Sequence, residues 1–264
     1  EIGVHMFFVL SAFLITYLSL SEYIKTRTFA ILHFFKKRIL RIWPVYFLVI
    51  AVSYIWHLSY TSGQVLGCAK QFLYFFGNAC MIGGIPNIPG SATIAPMWSV
   101  SVEQQFYVVF PILLTVCIYL FGKIKKSRLM YMVHSVLISV FVYALYVRYM
   151  YAQDWNYVSY SVISSLPAFI TGLYLAYGLH KKSFIINHIR NYSYIYALSA
   201  YISFCSFLYI KFLGPIGVSV YIIPIIYTTC VWIILATAPG QVAQAGEKSQ
   251  ISMYTKAVQY LGKI

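Results

Sequence analysis

Of five acidic residues, one lies inside an apolar run: Glu103, in Met97-Trp98-Ser99-Val100-Ser101-Val102-Glu103-Gln104-Gln105-Phe106-Tyr107. A carboxylate in hydrocarbon costs several kcal/mol unless it is paired, protonated or turned toward a polar cavity. Helical spacing puts Ser99, Glu103 and Tyr107 on one face, with Ser101 and Gln105 on an adjacent one. A polar stripe of this kind has two uses, and spacing leaves both open. It can form a catalytic or acceptor-binding wall, or a helix–helix hydrogen-bond network that only holds a bundle together.

A second constellation is Lys36-Lys37-Arg38-Ile39-Leu40-Arg41-Ile42-Trp43-Pro44-Val45-Tyr46. Arg38 and Arg41 are three apart and share a helix face at the mouth of an apolar span. Two guanidinium forks there suit phosphate recognition. The same pair also suits an anchor on lipid phosphates, which is the commoner use of such clusters. The histidines (His5, His33, His57, His134, His180 and His188) are scattered and define no catalytic group, and the role of His5 stays open. Arg148, near the end of an apolar run, is expected to snorkel toward the interface. No metal site is expected. Cys117, Cys205 and Cys230 sit in apolar runs and read as small hydrophobes. Cys68 and Cys80 share one loop and pair if that loop faces an oxidising compartment.

These residues need a scaffold, and the composition says which kind. The 264 residues are 61% hydrophobic and 9% charged, where a soluble domain is about 45–50% apolar and about 25% charged. So much apolar surface cannot be hidden from water in a chain of this size. The reading is an all-α, polytopic transmembrane helix bundle. Lys and Arg outnumber Asp and Glu by 19 to 5, but the basic residues cluster between apolar runs, as in cytoplasmic membrane loops. Nucleic acid is not an expected partner.

Spans of about 20 apolar residues are predicted at 4–20, 42–58, 98–121, 129–150, 159–179, 192–212 and 218–238. The clusters at 33–41, 123–128 and 180–190 then fall on one side, which the positive-inside rule makes cytoplasmic. Loop 59–97 falls on the other side. Its residues 65–82 are apolar, but Lys70, Gln71 and Asn78 weaken a crossing, so an interfacial or re-entrant helix is expected there.

The motifs resemble a known family. Gly3-Val4-His5-Met6-Phe7-Phe8-Val9-Leu10-Ser11-Ala12-Phe13-Leu14-Ile15 resembles the GVDLFFVLSGFLI segment of the acyltransferase 3 family of integral membrane acyltransferases. The Arg38-x-x-Arg41-x-x-Pro44-x-Tyr46 run is similar to its basic motif, and Trp98 to Tyr107 to its WSLSVEEQFY motif. Leu166-Pro167-Ala168-Phe169-x-x-Gly172 resembles a later helix, and Leu261-Gly262-Lys263-Ile264 the start of a further segment. Ala12 replaces the usual Gly, His5 stands where Asp is common, and Gln104 replaces one of a Glu pair; Glu103 is kept.

The resemblance implies about ten membrane helices, of which the seven spans match the second to the eighth. The chain reads as a single acyltransferase-like transmembrane domain over 1–264, truncated at both ends. The first helix, with the family's proposed catalytic histidine, would precede Glu1, so this piece alone is expected to be inactive. The implied function is transfer of an acyl group, by default acetyl, from acyl-CoA to a hydroxyl of a surface carbohydrate or glycolipid such as lipopolysaccharide or another polysaccharide. The implied place is a bacterial inner membrane. Acyl-CoA (acetyl-CoA) is a co-substrate, and no bound cofactor is expected. Arg38 and Arg41 are expected to hold the CoA phosphates. Glu103, Ser99 and Ser101 are expected as supporting catalytic residues, and Tyr46, Trp98, Gln105 and Tyr107 as further substrate-binding ones. Two other classes stay open: a polysaccharide-precursor transporter or flippase, and a non-catalytic homologue. One geometric difficulty follows. The arginines sit at the inner mouth and Glu103 about one turn below the outer surface, so either the pantetheine arm reaches deep or the acyl group is relayed.

Overall fold

The computed structural model describes residues 2–58, 66–83, 94–121 and 126–181. Every element among them is a helix: α1 Ile2–Thr26, α2 Ile31–Leu58, α3 Leu66–Leu73, α4 Gly77–Ile82, α5 Met97–Phe121, α6 Lys126–Met150, α7 Trp155–Tyr160 and α8 Val162–Lys181. Helices are the form in which an unclosed chain can cross lipid, because each backbone amide finds its partner within its own segment. Five segments are long and apolar enough to cross: Gly3–Thr26, Ile31–Ile55, Met97–Leu120, Arg128–Met150 and Trp155–Leu179, the last joining α7 to α8. They match the first five predicted spans. The spans expected at 192–212 and 218–238 lie outside the described residues.

Small polar residues are buried among the apolar core, and the outside is apolar. Leu40, Val45, Leu48, Val52 and Ile55 of α2 are exposed, as are Val136, Ile138 and Val142 of α6. Ser11, Thr16, Ser19, Ser101, Ser164 and Ser165 are buried. Small polar residues inside and large apolar residues outside suit a hydrocarbon solvent.

The second span starts earlier than its hydropathy indicates. The basic cluster expected as a loop at 33–41 is helical, because α2 begins at Ile31. The chain turns within 27–30. Arg27 adopts a left-handed φ of 59° and its N–H bonds the Tyr23 carbonyl at 2.8 Å, which ends α1 with an αL cap. The basic residues therefore form the first turns of α2 rather than a flexible connection.

Helices α1 and α8 pack closely. A Cβ on Gly172 would fall 2.4 Å from the Val9 carbonyl oxygen and 2.8 Å from both the Ala12 Cβ and the Phe13 nitrogen. Small residues let membrane helices approach this closely; Ala168 and Ala176, one turn either side, are fully buried. Phe169 joins α1 to α5, stacking on Phe8 at 4.9 Å and on Phe106 at 4.3 Å.

Arg148 does not snorkel. It is 4% exposed, and Nη1 donates to the carbonyls of Ser164 at 3.0 Å and Val158 at 3.4 Å. The guanidinium ties the end of α6 to the α7–α8 junction, where Ser161 accepts from the Ser164 N–H at 3.1 Å. A backbone break inside an apolar layer needs donors of this kind.

Candidate functional site

Glu103 lies in the second turn of α5 and is 3% exposed. Two hydroxyls converge on its Oε1. Ser11 Oγ, from α1, donates at 2.5 Å, and Tyr107 OH, one turn further along α5, donates to the same atom. Ser11 Oγ and Tyr107 OH also touch at 2.5 Å. The i, i+4 pairing of Glu103 with Tyr107 is what helical spacing predicts. Ser11 is the addition from another helix, held in place by the close packing of neighbouring Ala12 on Gly172.

Arg38 reaches this cluster from α2. Its Cζ sits 5.5 Å from the Tyr107 ring centroid and 5.8 Å from that of Phe34. A guanidinium between two aromatic faces gains cation–π attraction that grows with desolvation. Because α2 begins at Ile31, Arg38 is seven residues, about 10 Å, up the helix axis. Its side chain covers further distance toward Tyr107. A single phenol thus separates the arginine from Glu103. Arg41 behaves differently: it is exposed. The two arginines share a helix face but not an environment.

The rest of the stripe divides. Ser101, fully buried, pairs with Tyr46 OH at 3.0 Å and donates to the Met97 carbonyl at 3.1 Å. Tyr46 OH also donates to the Phe72 carbonyl at 2.8 Å. Gln105 Nε2 donates to the Phe75 carbonyl at 2.6 Å and to Asn78 Oδ1 at 3.0 Å. The bonds of Tyr46 and Gln105 to Phe72, Phe75 and Asn78 end on the α3–α4 elbow and its flanking turns. There Phe75 takes a left-handed φ of 60°, costly for a bulky residue, and stacks on Tyr46 at 4.8 Å. Ser99 joins neither group; its Oγ donates to the Pro96 carbonyl at 3.0 Å. Trp98 packs between Phe8, at 6.2 Å, and Tyr160, at 5.0 Å.

Sequence reasoning missed three neighbours. Ser11 was visible only as one letter of a motif. Phe34 looked like an ordinary apolar residue. Gln104 is buried, and its Oε1 accepts from Trp43 Nε1 at 3.3 Å; the Trp–Gln spacing of 61 residues carries no local signal. His5, 3% exposed, meets Phe8 edge-on at 6.2 Å. Cys80 is disulfide-bonded; the side chain of Cys68 lies outside the described residues. Among the described residues no three His, Cys, Asp or Glu side chains gather to hold a metal ion.

The Acyltransferase domain family matches residues 1–264. The O-acetyltransferase OatA of Staphylococcus aureus (strain NCTC 8325 / PS 47) is 25% identical over 182 residues, which is 67% of this chain and 30% of the relative. YrhL of Bacillus subtilis (strain 168), whose name proposes peptidoglycan O-acetylation, is 31% identical over 134 residues, 48% of this chain and 20% of the relative. An uncharacterised protein of Haemophilus influenzae (strain ATCC 51907 / DSM 11121 / KW20 / Rd) is 26% identical over 239 residues, 86% of this chain and 95% of the relative. The chain therefore matches less than a third of the length of the two acetyltransferase relatives. No solved structure matches. With the family model matched over residues 1–264, the chain belongs to the acyltransferase 3 family.

Proposed function

We propose that this chain forms the membrane core of an O-acyltransferase that moves an acetyl group from acetyl-CoA to a hydroxyl of a surface glycan. The observation that carries this reading is the buried Ser11–Glu103–Tyr107 cluster with Arg38 on the Tyr107 ring. Acyl transfer needs a group that orients the attacking hydroxyl and a positive group where oxyanion charge develops. The two lie one phenol apart here. The hydroxyl oxygen forms a bond to the thioester carbonyl carbon, and the carbon–sulfur bond breaks. The hydroxyl proton passes through the base to the departing sulfur, giving an ester and free CoA thiol. The family resemblance implies a histidine as that base.

The arginines divide the remaining work. Arg41, exposed on α2 three residues beyond Arg38, suits the CoA phosphates, which are recognised through guanidinium forks. Arg38, half-buried, suits the thioester oxyanion. The remaining polar residues, Ser101, Gln105 and Tyr46, serve the site through the α3–α4 elbow they hold; Trp98 walls its outer end, and Ser99 lies at its margin. Basic clusters at 33–41, 123–128 and 180–190 support a cytoplasmic side for the donor. The disulfide at Cys80, on the 59–97 side, supports an oxidising outer face. The names of the relatives support a glycan acceptor and acetyl as the group moved.

Labelled acetyl transfer by the full-length protein in membranes tests the reading. Glu103→Gln is expected to lose transfer, and Arg41→Ala to raise KM for acetyl-CoA about tenfold or more with kcat kept. Loss of one charge-assisted phosphate contact, at about 1.5–3 kcal/mol, is of that size. If Arg41→Ala leaves KM unchanged and alters only membrane insertion, the arginine is a lipid anchor. If Glu103→Gln transfers at the wild-type rate, the site is elsewhere.

A further inference from the structure

We propose that Ser11 and Tyr107 are positioning residues that fix the Glu103 carboxylate through Oε1 and so dedicate Oε2 to the reacting hydroxyl. The inference rests on the acyltransferase reading of this site and adds how its carboxylate is aimed. Both hydroxyl donors meet the same oxygen, Ser11 at 2.5 Å and Tyr107 beside it. No hydrogen bond among the described residues reaches Oε2, and Oε2 is not one of the buried atoms sealed without a partner. Among the described residues the hydrogen bonds to this carboxylate thus fall on Oε1 alone.

The asymmetry has a physical consequence. The terminal torsion of a glutamate is broad and roughly two-fold, so an unanchored carboxylate exchanges its oxygens and samples many orientations. Two donors from different helices remove that freedom. Tyr107 comes from one turn along α5, where the helix fixes its spacing. Ser11 comes from α1, whose position is set by the backbone contact with Gly172. Oε2 is left with a defined direction, which is what a near-attack geometry for a hydroxyl requires. If the cluster only held α1 to α5, nothing would require both donors to meet one oxygen while the other takes none among the described residues.

Tyr107 also carries Arg38 on its ring face at 5.5 Å. Its ring and its hydroxyl thus do separate jobs: the ring seats the positive group, and the hydroxyl aims the carboxylate. Tyr107→Phe removes the second and keeps the first.

The test uses the full-length protein in membranes, with labelled acetyl transfer expressed per folded molecule. Ser11→Ala and Tyr107→Phe are each expected to lower kcat about 10- to 100-fold, the scale of a loosened near-attack geometry. KM for acetyl-CoA stays at the wild-type value. Ser11→Thr, which restores the hydroxyl, recovers most of the loss. The double variant falls to the level of Glu103→Gln and no further, because the two donors act through that one carboxylate. Wild-type kcat per folded molecule in Tyr107→Phe and in whichever Ser11→Ala or Ser11→Gly variant accumulates, with Glu103→Gln inactive, overturns the positioning role and leaves the acyltransferase reading standing. An active Glu103→Gln overturns that reading instead. A parallel rise in KM across all variants also counts against positioning, since it marks a distorted donor site.

Discussion

Replacing Gly172 with alanine probes the contact on which the Ser11–Glu103 geometry depends. The new Cβ falls 2.4 Å from the Val9 carbonyl oxygen, 2.8 Å from the Ala12 Cβ and 2.8 Å from the Phe13 nitrogen. Non-bonded carbons rest at about 3.5–4.0 Å, so α1 and α8 must part by about 1 Å at this level. Two of the three atoms belong to the α1 backbone, and no side chain can rotate out of the way. Overpacking of this kind costs about 1–3 kcal/mol. A gap of about 0.5–1 Å also forfeits a quarter to a half of each dispersion contact it opens, including the Phe8–Phe169 stack at 4.9 Å. The upper end of the range, about 3 kcal/mol, is therefore expected.

The same shift moves Ser11, next in sequence to Ala12, off its 2.5 Å bond to Glu103. A displacement of about 1 Å in a catalytic geometry costs on the order of 100-fold in rate. The full-length Gly172→Ala protein in detergent is expected to melt several degrees lower and to transfer acetyl far more slowly per folded molecule. Gly3→Ala, with no atom within 4 Å of its new Cβ, is the control and leaves both unchanged. Adding Ala12→Gly recovers little, because it removes only one of the three clashes. A Gly172→Ala protein with wild-type melting and wild-type transfer would refute the close approach of α1 to α8.

Two further substitutions test the structural half of the polar interior. Arg148→Met removes the donor to Ser164 and Val158 and is expected to cost about 1–3 kcal/mol, read as a lower melting temperature. A snorkelling arginine at that position would tolerate Met without change. Gln105→Leu strips the Phe75 carbonyl and Asn78 of their shared donor. It is expected to loosen the α3–α4 elbow, seen as faster limited proteolysis within 66–83, and unchanged cleavage there would mean that the bond does not hold the elbow.

How much of this could be read from the sequence depended on range. Length and apolarity located the spans, because hydropathy is a local sum. The i, i+4 rule found the Glu103–Tyr107 pair, because both residues sit on one helix. It failed for Ser99 at the same spacing, since that hydroxyl turns back to the Pro96 carbonyl in the first turn of α5. The two uses of the stripe, left open by spacing, separated only when its partners came into view. Glu103 and Tyr107 meet Ser11 from α1, whereas Ser101 meets Tyr46 from α2 and Gln105 meets the α3–α4 elbow. Those contacts join residues 27 to 96 positions apart, and no periodicity encodes them.

The arginine pair shows why a shared face is a weaker statement than a shared site. Arg38 and Arg41 are separated by about 4.5 Å of axial rise and about 60° of rotation on an ideal helix. In a uniform solvent that difference is minor. At the edge of a bundle it decides which guanidinium finds Phe34 and Tyr107 and which remains exposed. Hydropathy also set the start of the second span at 42, which put both arginines at its mouth. The early start of α2 at Ile31 came from the αL turn at Arg27, a backbone feature without the glycine that usually marks it. One unmarked turn thus lifts Arg38 about two helical turns into the bundle. It brings a positive charge to within one aromatic ring of the buried carboxylate.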